Sequence, residues 1–165
     1  MSMERPLMVG LGNPLAGDDG IGSRLVGLLK GHPRLPENLD AVEGGTDLLR
    51  LAPMLERRPW VVLVDALPDP GQPGLLVRFD GDLDELEDRG GGVHHLSPVE
   101  ALKLLRCLYP SLRALPVTFL GVTVDSATIS PGLSPALEAR LDSLLDEVLD
   151  NLGDAPCSAS LSAAN

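Results

Sequence analysis

Two neighbouring acids, Asp18 and Asp19, sit in a glycine-rich segment near the start of the chain. A third acid, Asp65, follows a run of apolar residues, and His94 and His95 stand just ahead of a Ser-Pro pair. Carboxylates and imidazole are ligands for transition metals, and imidazole suits nickel or zinc. The same groups could instead form a base and an orienting partner that activate water. No helical i, i+4 spacing links Asp19, Asp65 and His94, so only tertiary folding can unite them. Spacing leaves both chemistries open.

Each group also has a plainer role available to it. Asp18 suits turn formation or helix capping. An acid closing a buried strand is harder to dismiss, because an ionised carboxylate is costly to bury without partners. A helix beginning just after His94 would disfavour positive charge there and help keep the ring neutral. Cys107 falls in an apolar helical stretch and is expected to pack in the core. Cys157 falls in a small-residue tail, and His32 precedes a proline with no partner in view.

Other chemistries are disfavoured. In Gly10-Leu11-Gly12-Asn13-Pro14-Leu15 the third glycine of a dinucleotide loop is replaced by Leu15, and no Lys-Ser or Lys-Thr pair follows. Two acids stand where a phosphate would lie. No Gly-x-Ser-x-Gly elbow is present, and nothing supports a serine or cysteine nucleophile. The net charge of −11 opposes nucleic acid and anionic membrane surfaces, both of which need clustered Lys and Arg. No run reaches the roughly 18 apolar residues of a membrane span. No signal-peptide pattern is visible, so the cytoplasm is the expected location.

The elements that must position these groups alternate between strand and helix. Leu7 to Leu11, Asp40 to Glu43, Trp60 to Leu67, Gly74 to Phe79 and Pro116 to Val124 read as strands. Helices are expected from Gly20 to Lys30, Asp47 to Glu56, Ser97 to about Tyr109, and from Ser134-Pro135 onward. Ser97-Pro98-Val99-Glu100 has the form of a capping box. Val61-Val62-Leu63-Val64 is the apolar run of a central parallel strand. The pattern predicts a three-layer α/β sandwich: a mostly parallel twisted sheet of about five strands with helices on both faces. Residues 1–152 are expected to form a single domain and 153–165 a flexible tail. Ligands in such sheets bind beyond the carboxyl ends of the strands. That directs attention to the loops after Leu11, Val42, Val64, Phe79 and Val124. The acidic segment from Asp80 to Gly92 is expected to be solvated.

The string from Gly10 to Gly22, GLGNPLAGDDGIG, resembles the signature of the hydrogenase maturation proteases, G-x-G-N-x-L-x-x-D-[DE]-G-x-G. Four further segments resemble that family in the same order: Glu43-Gly44-Gly45-Thr46, Val64-Asp65-Ala66, His94-His95-Leu96-Ser97-Pro98 and Gly132-Leu133-Ser134-Pro135. The first string is specific, and the others gain weight as an ordered set. Asp19 where some relatives carry Glu, Glu43 where Asp is common, and Val124 where a proline often follows are departures that bear on substrate choice.

The resemblance implies an endopeptidase that removes the C-terminal extension from the nickel-loaded precursor of a [NiFe]-hydrogenase large subunit. Nickel would arrive with the substrate. The residues implied as metal-binding and catalytic are Asp19, Asp65 and His94, with His94 preferred to His95 when the following helix is aligned by Leu96 and Leu102. Glu43, Gly44, Gly45 and Thr46 are implied in substrate recognition. A monomer is the default, with the hydrogenase precursor as partner. Two other readings are a non-cleaving chaperone of hydrogenase assembly and a peptidyl-tRNA hydrolase. Intact Asp19, Asp65 and His94 argue against the first. The second shares Gly10-Leu11-Gly12-Asn13-Pro14 but lacks that family's Thr-Arg-His-Asn element.

Overall fold

The computed structural model describes residues 5–69, 71–80, 96–125 and 130–153. Its five strands are β1 (Leu7–Leu11), β2 (Asp40–Gly45), β3 (Val61–Pro68), β4 (Leu76–Asp80) and β5 (Val117–Val124). Its α-helices are α1 (Ile21–Leu29), α2 (Ala52–Leu55), α3 (Pro98–Leu108) and α4 (Pro135–Leu152). The strands form one sheet in the order β2-β1-β3-β5-β4. β2, β1, β3 and β5 run parallel, and β4 pairs antiparallel with β5.

Strict alternation along the strands builds two cores. Met8, Val62, Val64, Leu120 and Val122 face α1 and α4, whose Ile21, Leu25, Leu137 and Leu144 are fully buried against them. Leu7, Val9, Val61, Leu63 and Phe119 face the other way, onto α2 and α3 through Ala52, Leu55, Leu102 and Leu105. This is the expected three-layer arrangement. Both faces of β1, β3 and β5 are covered, which explains their continuous apolar runs.

Two elements differ from the sequence reading. The helix expected from Asp47 to Glu56 splits into a 3-10 turn, Leu48–Leu51, and the single α-turn of α2. Pro53 in that turn has no backbone N–H to donate. The second difference concerns direction. Because β4 is antiparallel, its Asp80 pairs with Thr118 near the start of β5. The chain after Phe79 therefore leaves the sheet at the end opposite the crevice. Cys107 is exposed rather than core, because the buried stripe of α3 passes through Ala101, Leu102 and Leu105. Cys157 and the segment 81–92 lie outside the described residues. No helix among the described residues is long and apolar enough to cross a membrane.

Candidate active site

The sheet order reverses next to β1. The chain leaves β1 to form β2 on one side, then crosses to form β3 on the other. Such a switch point opens a crevice at the carboxyl ends of the two strands, because the connections diverge to opposite faces. Here those ends carry the loop from Gly12 to Gly20 and the acid Asp65.

Asp65 is not the last residue of its strand, since β3 continues to Pro68. It does lie one register past the end of the β1–β3 ladder, which stops at Gly10 with Val64. Its side chain continues the alternation of Val61 and Leu63 and so projects toward the α2 and α3 face. Its Oδ1 accepts a hydrogen bond from Ala66 N at 2.8 Å. Burial pushes its pKa up from 3.8 to about 7, the Ala66 bond opposes this, and the negative charge of Asp19 adds to it. The two acids are thus close enough to repel.

Asp19 reaches that position from a tightly braced loop. Its Oδ2 accepts from Asn13 N at 2.9 Å, and Asn13 closes its own turn by accepting from Leu15 N and Ala16 N. Gly12 has φ +104°, and a Cβ there would lie 1.8 Å from the Asp19 carbonyl oxygen. Gly22 opens α1 so close to the sheet that a Cβ would meet Val64 O at 2.2 Å and Leu11 O at 2.6 Å. The buried Ser23 hydroxyl donates to Gly12 O at 3.1 Å. These glycines are therefore spacing devices that press the Asp19 loop and α1 against the strand ends.

Asp18 has the plainer role. It is buried, and its Oδ1 accepts from Ser134 N at 2.6 Å. It ties the loop to the residue that caps α4, whose hydroxyl accepts from Leu137 N.

Asp19 and Asp65 therefore come together, while His94 and His95 lie outside the described residues. Among the described residues no cluster of three His, Cys, Asp or Glu side chains could hold a metal ion. The two carboxylates repel across one crevice, and a cation between them would relieve that repulsion. Glu43 lies elsewhere. Its carboxylate pairs with Lys30 Nζ at 3.1 Å and rests over Gly27 of α1, on the face opposite Asp65. Gly44, Gly45 and Thr46 line a shallow groove together with Asp47, Arg50 and Leu51. The sequence reading did not single out Arg50, because an arginine in a short polar turn carries no distinguishing pattern.

Comparison with known proteins matches residues 23–151 to the family described as hydrogenase maturation protease. That stretch begins after the glycine-rich string and covers well over half of the chain. The chain belongs to the hydrogenase maturation protease family.

Among solved structures, the fold is similar to the hydrogenase maturating endopeptidase HybD of E. coli, with a TM-score of 0.74 and 27% identity over 90% of this chain and 92% of that one. It is also similar to a hydrogenase 2 maturation peptidase from a Thaumarchaeota archaeon, with a TM-score of 0.66 and 32% identity over 91% of this chain and 99% of that one. In sequence, the hydrogenase expression/formation protein HupD of Rhodobacter capsulatus is 38% identical over 79 residues, which is 48% of this chain and 38% of that protein. The matches span between a third and two thirds of the length of the curated relatives. The family is one of peptidases, and in folds of this kind ligands bind in a crevice such as the one that holds Asp19 and Asp65.

Proposed function

We propose that this maturation protease removes the C-terminal extension of a nickel-loaded [NiFe]-hydrogenase large-subunit precursor, using Asp19, Asp65 and His94. The observation that carries the reading is the convergence of Asp19 and Asp65 at the switch point of a maturation-protease fold. Two repelling carboxylates favour a substrate that brings a cation to them.

The third residue is supported by chain direction. α3 leads within nine residues back to the amino end of β5, so it runs against the strand, and its capped first turn lies toward the carboxyl ends. It packs on the sheet face toward which Asp65 projects. His94 stands three residues before Ser97, whose hydroxyl and backbone complete a capping box with Glu100. That box fixes the entry of the chain to α3.

Nickel, carried by the precursor, supplies a Lewis acid. The chain's own part is to hold and orient. Asp19 is fixed by Asn13 N, and Asp65 is held in β3 by pairing with Gly121 of β5. An acid poised near pH 7 is also suited to accept a proton from water, because its protonation then balances availability against driving force. Residues 1–152 act as one protease domain in this reading. Gly44, Gly45 and Thr46 contact the substrate backbone, and Glu43, paired with Lys30, orients that strand end.

Nickel-loaded and nickel-free precursor, each mixed with the protein and read by C-terminal mass spectrometry, test the reading. Loss of the extension only from the nickel-loaded sample is expected. Retention of the extension in both samples would overturn it.

A further inference from the structure

We propose that the groove beside the end of β2 binds a carboxylate of an extended peptide through Arg50, and so seats the extension that the enzyme removes. The inference rests on the protease reading and adds a subsite and its chemistry to it.

The groove has a volume of about 410 Å³ and is lined by Gly44, Gly45, Thr46, Asp47, Arg50 and Leu51. Its size falls in the range of ligand clefts. Gly44 is barred from carrying a side chain, since a Cβ would meet Val9, Leu51 and Leu11 within 3.1 Å. Gly45 has φ +67° and nothing within 4 Å of the place a Cβ would take. The wall here is bare backbone, which an extended peptide can approach closely. β2 is the outermost strand, so among the described residues no further strand of this sheet lies beyond the groove.

The charges in the groove are unequal in their commitments. Asp47 accepts from Leu49 N at 3.0 Å and caps the 3-10 turn. Arg50 is exposed, and no hydrogen bond or ion pair holds it among the described residues. Lys30, Arg34, Arg58 and Arg140, by contrast, each pair with an acid. An uncommitted guanidinium in a chain of net charge −11 is a local anion site, and its fork matches a carboxylate.

The groove also adjoins the acid site. Gly12 N donates to Gly45 O at 2.9 Å, and Gly12 lies against the carbonyl of Asp19. A substrate can therefore present a cation to Asp19 and Asp65 while a carboxylate farther along its chain meets Arg50. The order of charges on the protein, negative then positive, would select the orientation of the peptide.

The test uses the full chain and nickel-loaded large-subunit precursor. Affinity is measured by rapid mixing, before cleavage proceeds, and processing at steady state, both with Asp65 intact. Arg50→Glu is expected to weaken precursor binding and raise KM at least tenfold, with Arg50→Lys intermediate. Melting curves check that the exposed substitutions leave folding unchanged. Two precursor arms separate the sources of the carboxylate. In one, acids of the extension become Asn or Gln; in the other, four added residues move the terminal carboxylate. Whichever arm reproduces the Arg50→Glu loss identifies the group. Where a side chain is responsible, its change to Lys should restore binding to Arg50→Glu. Unchanged KM and affinity in Arg50→Glu, with wild-type processing intact, would overturn this inference and leave the protease reading standing. Failure of the wild-type protein to bind or process nickel-loaded precursor would remove both.

Discussion

Asp65 combines its proposed place in the site with a stability cost. Its pKa rises from 3.8 to about 7 on folding, chiefly through burial. Between those values the folded form keeps a proton that the unfolded chain has released. Stability therefore falls as pH rises from about 4 to 7, and the deficit persists above pH 7. At 1.36 kcal/mol per unit the shift amounts to roughly 4 kcal/mol. Asp65→Asn should abolish processing, raise the melting temperature at pH 8, and flatten the pH dependence of stability between pH 4 and 7. A variant that is less stable than wild type at pH 8 would show that the carboxylate is not destabilising. Asp18 is the contrasting neighbour. Asp18→Ala removes the bond to Ser134 N and should cost about 1.5–3 kcal/mol, the usual worth of a hydrogen bond to a charged group. Urea denaturation checks this, and an unshifted midpoint would mean that the tie to α4 is idle.

The glycines matter at the level of the element, since they set how closely α1 approaches the sheet. A methyl at position 22 meets two backbone oxygens, those of Leu11 and Val64, and neither can swing aside as a flexible side chain would. Gly22→Ala should therefore destabilise by roughly 1–3 kcal/mol through overpacking. It should also lower processing more than the stability loss explains, because the displaced backbone leads directly into Gly12 and Asp65. Rate and denaturation midpoint measured on one preparation separate these effects. A variant destabilised as expected but fully active would show that the acids tolerate movement of α1. In this region the sequence marks the element but not the contact. The apolar spacing from Ile21 to Leu29 marks a helix, but nothing in it states how near the strand lies. The expected helix after Asp47 failed for a local reason, the proline at position 53 within it.

Across the whole molecule, the two ends of the sheet do different work. The carboxyl ends hold Asp19, Asp65 and the groove. The amino ends hold a buried ion pair, Arg58 with Asp40 at 2.6 Å, in which Arg58 also donates to Met54 O and Arg5 O. That guanidinium joins β2 to α2 and to the approach to β1. Arg58→Ala strands a largely buried carboxylate and should cost about 3–5 kcal/mol, with KM for the precursor unchanged while the protein stays folded. Chemical denaturation and steady-state kinetics together test this, and a raised KM would argue against the division between ends. At the far edge, Thr118 accepts from Trp60 and donates to Asp80. Burial raises the pKa of Asp80, but bonds from Arg78 and Thr118 and the charge of Arg78 hold it below the ordinary carboxylate value.

The alternation of apolar runs was enough to establish the layers, the parallel core of the sheet and the identity of most elements, because strand and helix periodicities are local properties of the chain. The ordered segments from Gly10 to Pro135 were enough to point to the family. The direction of β4 was decided only by tertiary packing, since a strand of either direction can present the same apolar pattern to its neighbours. So were the different partners of Asp18 and Asp19, the face on which Glu43 lies, and the groove that Arg50 lines. Adjacent acids in one loop look alike in sequence. Once the loop is pinned against the strand ends, Asp18 bonds to the residue that caps α4, while Asp19 is held by Asn13 N near enough to Asp65 to repel it.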